Sequence, residues 1–366
     1  MLKVGSVLGA AFVLAGTTLA AGCSSSSDAR SSSGVSSGSP SASRAGSSSS
    51  SDSSAGKTAG SSAGKSAGPA KGAAAPGTSA TKARWKPVVG SRWQYQLSPT
   101  QAYAATGGVN VGVCAKPFTG GACVRPEVYD IDLYSGTGAT GTLNTAAVRA
   151  IHARGAKAIC YMDAGSVEKD RPEYQEFVKW NNAHGRSLIG KAYPGFPDEN
   201  YANINNDRGQ RDYLLKVQEA RVRKCVQAGF DGVEFDVVNS YEDGEKVTGW
   251  KISAATQLTY NKALAALAHK YNLAVGLKND LSQVPALVSS FDFAINEECW
   301  ENNECDVLKA FIRAGKPVFG VEYRPSGGPG HALGFCRPAA SSAWRFSTIK
   351  KGEDYALHDT PYTPCR

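Results

Sequence analysis

What most constrains this chain is a rhythm that starts at Trp85. Short apolar or β-branched runs alternate with helical stretches, an alternation that favours βα repeats around a parallel sheet. The runs are Trp93 to Leu97, Val128 to Asp132, Ala158 to Asp163, Gly229 to Asp236, Ala274 to Asn279, Phe291 to Glu298, Pro317 to Glu322 and Trp344 to Ser347. Asn144 to Arg154, Arg208 to Gln227, Ser253 to Tyr271 and Asp306 to Ala314 read as helices, and Ser166 to Asp207 is a long insertion rich in Pro, Asn and aromatics. About eight such units over roughly 280 residues fit a (β/α)8 TIM barrel better than a doubly wound sheet. No GxGxxG run follows the first strand, which counts further against a dinucleotide-binding fold.

The charged residues gather at particular points of that rhythm. In Gly229-Phe230-Asp231-Gly232-Val233-Glu234-Phe235-Asp236, a strand sets Val233 and Phe235 on one face and Glu234 and Asp236 on the other. Inward carboxylates are costly unless they are used or paired. Phe291 to Glu298 closes on Glu297 and Glu298, and successive strand residues face opposite ways, so only one of these enters a site. Asp130, Asp132, Asp163, Lys278, Asn279 and Glu322 also fall at or near strand C-termini, the rim where this barrel builds active sites. Two acids carried by the ends of two strands are what glycoside hydrolysis needs. A lysine at such a rim could instead form a Schiff base, as in an aldolase. Acids around Lys278 would keep it protonated, however, leaving it as a charge partner and hydrogen-bond donor.

Before Trp85 there is little to fold. Met1 to Gly22 carries Lys3, an apolar run from Val7 to Leu14 and small residues up to Cys23, the pattern of a secretory signal and too short to span a bilayer. Leu19-Ala20-Ala21-Gly22-Cys23 resembles a bacterial lipobox with its leucine one place early, so lipidation of Cys23 and cleavage at a plain signal-peptidase site both stand. Residues 23–84 are almost entirely Ser, Gly, Ala, Lys and Pro, with no aromatic, and are expected to be a disordered tether before a barrel at 85–366. Most of the formal charge of +8 lies in that tether, where seven Lys and Arg face Asp28 and Asp52. Setting these and Lys3 aside leaves only two net positive charges for the folded part. That argues against nucleic-acid binding and suits a tether lying on an acidic wall or anionic lipid.

Nine cysteines in an exported chain point to disulfides. With Cys23 set aside, spacing favours Cys114 with Cys123, Cys299 with Cys305 and Cys336 with Cys365. Cys160 and Cys225 are left to pair or to stay as buried thiols. No CxxC spacing occurs and the five histidines are scattered, which disfavours zinc. No cofactor is expected.

The blocks Trp93-Gln94-Tyr95-Gln96-Leu97, Val128-Tyr129-Asp130-Ile131-Asp132, Ile159-Cys160-Tyr161 with Ala164-Gly165-Ser166, Gly229 to Glu234, Gly276-Leu277-Lys278-Asn279-Asp280 and Asn296-Glu297-Glu298-Cys299 together resemble the endo-alpha-1,4-polygalactosaminidase family of glycoside hydrolases, family 114. The resemblance runs from Trp93 to Lys350 and so covers nearly the whole folded part. It implies a (β/α)8 barrel that cleaves alpha-1,4-linked galactosamine polymers, with Asp236 and Glu297 as the catalytic pair. The sequence departs from the family where Val237, Val238 and Asn239 replace the usual Asn-Val-Asp, and where Asn203 replaces an aspartate. Asp236 is expected as nucleophile or base and Glu297 as general acid. Asp130, Asp132, Tyr161, Asp163, Lys278, Asn279 and Glu322 are expected to bind substrate, with a structural ion pair as the alternative for Asp130 and Asp132. Trp93 and Tyr161 are each either a subsite wall or core, and Glu234 an inward support. An acidic rim suits a cationic, deacetylated amino-sugar chain. The whole reads as a monomeric hydrolase, held on the outer face of the membrane through lipidated Cys23 or secreted, acting on a polysaccharide. The rival reading is a non-catalytic polysaccharide-binding barrel at the cell surface.

Overall fold

The computed structural model describes residues 83–136, 140–323, 334–339 and 341–366. The expected signal peptide, Cys23 and the tether up to residue 82 lie outside the described residues. In chain order the strands are β1 (Trp93–Gln96), β2 (Val128–Asp132), β3 (Lys157–Asp163), β4 (Ser166–Glu168), β5 (Ile189–Tyr193), β6 (Phe196–Ala202), β7 (Gly232–Asp236), β8 (Ala274–Lys278), β9 (Phe293–Glu297), β10 (Val318–Glu322), β11 (Ser347–Lys350) and β12 (Thr363–Pro364). The α-helices are α1 (Thr145–Ala153), α2 (Tyr174–Ala183), α3 (Gln210–Ala228), α4 (Glu245–Thr248), α5 (Ala254–Lys270), α6 (Val284–Leu287), α7 (Lys309–Arg313) and α8 (Cys336–Ala339).

Strands β1, β2, β3, β7, β8, β9, β10 and β11 pair in that order, each parallel to the next. β12 adds antiparallel to β11. β11 returns beside β1, where Lys351 Nζ bonds Gln94 Oε1 at 3.2 Å and the Leu97 amide donates to the Leu357 carbonyl at 3.1 Å. Eight parallel strands, with helices between most of them, make the expected (β/α)8 barrel. Aromatic rings fill its interior: Trp93 lies 5.2 Å from Tyr95 and 5.3 Å from Phe319, and Phe319 lies 5.7 Å from Phe293. Trp93 is therefore core rather than a sugar wall. Gly276 makes room for this packing, since a Cβ there would fall 2.3 Å from the Phe293 ring.

Two stretches depart from the sequence reading. The eighth strand begins at Ser347 rather than Trp344, because Arg345 takes a left-handed φ of 53° that breaks an extended run and Trp344 packs against Trp300 and Phe346 instead. The insertion is also structured. Its strands form a separate antiparallel sheet in the order β4-β6-β5, with α2 between β4 and β5 in the chain and Pro194-Gly195 turning the β5–β6 hairpin. Much of β5 and the start of β6 is exposed and their register is irregular, which hides the two-residue period by which such strands are read.

The helices fasten the strands from outside. Gly209 and Gly229, both with left-handed φ, bracket α3, whose Cys225 bonds Cys160 of β3. The other three bridges are Cys114–Cys123, Cys299–Cys305 and Cys336–Cys365, as the spacing suggested. Helix α5 is capped by the Ser253 side chain and turns Tyr260, Asn261, Leu264 and Ala268 inward. Tyr260 donates to the Ala164 carbonyl after β3, and Asn261 Nδ2 donates to the Val238 carbonyl after β7 and to Asp280 Oδ2 after β8. One helix thus braces the C-terminal ends of three neighbouring strands.

Candidate active site

The C-terminal ends of β7, β8 and β9 bring Asp236, Lys278 and Glu297 together. Lys278 Nζ lies 3.0 Å from Asp236 Oδ1, 3.1 Å from Glu297 Oε2 and 3.4 Å from Glu234 Oε1. The lysine side chain is 3% exposed and each of the two outer carboxylates 19%, so the ammonium forms a floor beneath a pair of acids that reach the surface. Burial works against the charge on Lys278, yet Asp236, Glu297 and Glu234 together hold its pKa well above the ordinary amine range. It is therefore a cation and not a free amine.

Hydroxyls complete the two carboxylates. Asp236 Oδ2 accepts from Tyr161 at 2.9 Å and Oδ1 from the Val237 amide at 2.8 Å. Glu297 Oε1 accepts from Tyr323, and its amide donates to Asn279 Oδ1 at 3.0 Å. Directly after each of the three rim residues the backbone turns left-handed: Val237 has φ 55°, Asn279 φ 47° and Glu298 φ 58°. For a β-branched residue such as Val237 this is a costly conformation of the kind that gathers at functional sites. The turn carries Glu298 away from the cluster, where it accepts from Tyr355 at 2.8 Å. Gly165 lets the chain after β3 lie on the end of β7, since a Cβ there would meet the Val237 carbonyl oxygen at 1.7 Å.

The remaining expected residues divide. Tyr161, Lys278 and Asn279 touch the pair. Asp163, opposite Asp236 in the β3–β7 register, is buried beside Glu199 and Glu168, and burial with those charges raises its pKa. Three others stand apart. Asp130 lies one layer deeper, fully buried against Glu234, and its carboxyl is pushed well up by burial and by that neighbour. Asp132 is held by Arg171 through both carboxylate oxygens at 2.9 and 2.7 Å, the ion pair that was the alternative for it. Glu322 faces the backbone, accepting from the amides of Trp300 at 2.9 Å and Glu301 at 3.4 Å. Glu322, expected at the rim as a substrate binder, is therefore not beside the pair; the side chain that meets Glu297 is its neighbour Tyr323, since successive strand residues face opposite ways. Glu234 is the inward support it was expected to be, accepting from Tyr95 at 3.0 Å and bonding Lys278.

Sequence reasoning missed the hydroxyls of Tyr95 and Tyr323, and Glu199. Tyr95 was within reach of the two-residue period of β1, but a tyrosine there reads as core, which most of its ring is.

Among the described residues, two groups of side chains draw close enough to hold a metal ion: Asp163, Glu168 and Glu199, and Cys299, Cys305 and Glu322. In the second both sulfurs are spent in a disulfide and cannot act as thiolate ligands. In the first, Glu168 is paired with Arg171 and Arg221, which bring the counter-charge an ion would bring.

Comparison with known proteins bears on this site. The profile of glycoside-hydrolase family GH114 matches residues 74–366. The crystal structure of Aspergillus fumigatus Ega3 in complex with galactosamine is 27% identical over 76% of this chain and 97% of that one, with a TM-score of 0.56. The glycoside hydrolase domain of PelA from Pseudomonas aeruginosa is 13% identical over 75% and 98%, with a TM-score of 0.48. No curated protein matches the chain.

Proposed function

Because the chain belongs to glycoside-hydrolase family GH114 and is an O-glycosyl hydrolase, we propose that it cleaves alpha-1,4-linked galactosamine-containing polysaccharide with Asp236 and Glu297 as its carboxylate pair. The observation that carries this is the single ammonium of Lys278 bonded to both acids. It draws the two acids together: the two bonded oxygens lie no more than about 6 Å apart, a closeness that favours the retaining geometry over the inverting one. Asp236 is then the nucleophile, held by Tyr161, Lys278 and the Val237 amide toward the anomeric carbon. Glu297 protonates the leaving oxygen, and in the second half-reaction takes a proton from water. Lys278 steadies whichever carboxylate carries the charge as the reaction proceeds. Tyr161, Asp163, Lys278 and Asn279 surround the sugar, and Asp130, Asp132 and Glu322 support the barrel and its loops. A buried cation with three acid neighbours has no free amine for a Schiff base, which removes the aldolase reading.

Asp236→Asn and Glu297→Gln should each lower release of reducing ends from an alpha-1,4-galactosaminan by at least about a thousandfold, with circular dichroism unchanged. Proton NMR of a wild-type digest should show the alpha anomer formed first. Near-normal cleavage by either variant sinks the pair, a first-formed beta anomer sinks the nucleophile role, and binding without cleavage by wild type favours a non-catalytic barrel. The reading extends to location. The four disulfides among the described residues support an exported protein, and the lipobox-like run before Cys23 supports its anchoring, as a monomer, at the outer face of the membrane. Cys23→Ser should move the protein from the membrane fraction to the medium; unchanged partition removes the anchor.

A further inference from the structure

Phe196 is a large apolar side chain left 50% exposed, the more exposed of the two exposed phenylalanines among the described residues. It opens β6 beside the Pro194-Gly195 turn and is paired with Tyr193 across the hairpin. Its ring stands edge-on to Tyr193 with centroids 5.8 Å apart, and Tyr193 lies 4.8 Å from Tyr201. Tyr201 is buried and anchored through its hydroxyl to Asp243 Oδ2 at 2.9 Å. The backbone links this row to the cluster of acids: the amide of Ala202, next to Tyr201, donates to the Gly165 carbonyl at 2.8 Å, and the Gly165 amide donates to the Asp236 carbonyl at 3.2 Å; burial and the charge of Asp236 also push the Tyr193 hydroxyl up. Three rings therefore run from the buried Tyr201, next to the strand end that abuts Asp236, out into water.

The chemistry of the row selects its occupant. An aromatic ring offers a flat apolar face to the C–H side of a sugar, and its negative face attracts an ammonium. Asp243, bonded to Tyr201, stands at the inner end of the row and adds attraction for a cation. We propose that Phe196 and Tyr193 form a binding platform for a further residue of a cationic amino-sugar chain, adjoining the residue held at Asp236 and Glu297. The platform rests on the substrate class proposed above, and it makes the enzyme prefer polymer to short substrate.

The test compares wild type, Phe196→Ala and Phe196→Trp on a long alpha-1,4-galactosaminan and on an aryl alpha-galactosaminide that reaches only the bond cleaved. Phe196→Ala should lower kcat/KM on the polymer about three- to tenfold through KM, the loss of one ring contact. It should leave the aryl glycoside within twofold, and Phe196→Trp should restore the polymer rate. Equal polymer kinetics in wild type and Phe196→Ala overturn the platform while leaving the substrate class standing. A wild type that cuts neither substrate removes the substrate class and the platform with it. A wild-type dimer that Phe196→Ala dissociates, seen by sedimentation, assigns the ring to a second copy instead and also overturns it.

Discussion

Val237 shows what a single residue can cost and why it is kept. Its neighbour Val238 is equally buried, but only Val237 carries the left-handed φ of 55° that lets the chain leave β7 just after Asp236. The family pattern places Asn at the position of Val237, and Asn tolerates that conformation far better. Val238→Gly should lose the burial of a valine, about 1.5–3 kcal/mol, and add the conformational cost of glycine. Val237→Gly loses similar burial but releases about 1–2 kcal/mol of left-handed strain. Urea unfolding should therefore find Val238→Gly more destabilising by at least about 1 kcal/mol; equal losses would mean that Val237 carries no strain.

At the scale of elements, what was legible depended on burial. The parallel strands stood out because both faces are covered, giving short apolar runs, and the acids stood out because they interrupt those runs at one end. Asp236, Lys278 and Glu297 were found this way. The β4–β6 sheet was not, since its strands are short and part-exposed and its role lies in contacts distant in sequence. Arg171, just beyond β4, holds both Asp132 of β2 and Glu168, and Arg221 of α3 holds Glu173 and Glu168. No local pattern announces such pairings. Nor does one announce the bracing role of α5, a helix its own period does reveal, because its inward Asn261 reads as a polar fault until its partners, the Val238 carbonyl and Asp280, are known.

Across the whole molecule the buried acids set how stability answers to pH. Burial raises Glu322 and Asp280 to about 8, the latter with help from Glu242, and burial with nearby charge also raises Glu199 and Glu234 to about 7. For an acid raised on folding, the native state holds the extra proton. Stability is then fully present below the unfolded value near 4 and is lost as pH climbs through the folded value. Asp231 and Asp292 are lowered by their histidine and other partners, so their contribution is complete above the unfolded value and changes only at lower pH. Lys351, lowered to about 7 by burial, gains stability only as pH rises above that. Between pH 5 and 7 the raised acids act alone among these groups, so the thermal midpoint should fall across that range. Glu322→Gln should flatten the fall; a midpoint rising from pH 5 to 7 would contradict it. The reversals at Val237, Asn279 and Glu298 also have a meaning for change over time. They mark where the shared floor of the barrel stops and its outer loops start. Once past the residues that α5 and the Cys299–Cys305 bridge hold, the chain can be lengthened or exchanged for new specificities, while the reacting atoms, fixed before the reversals, stay where they are.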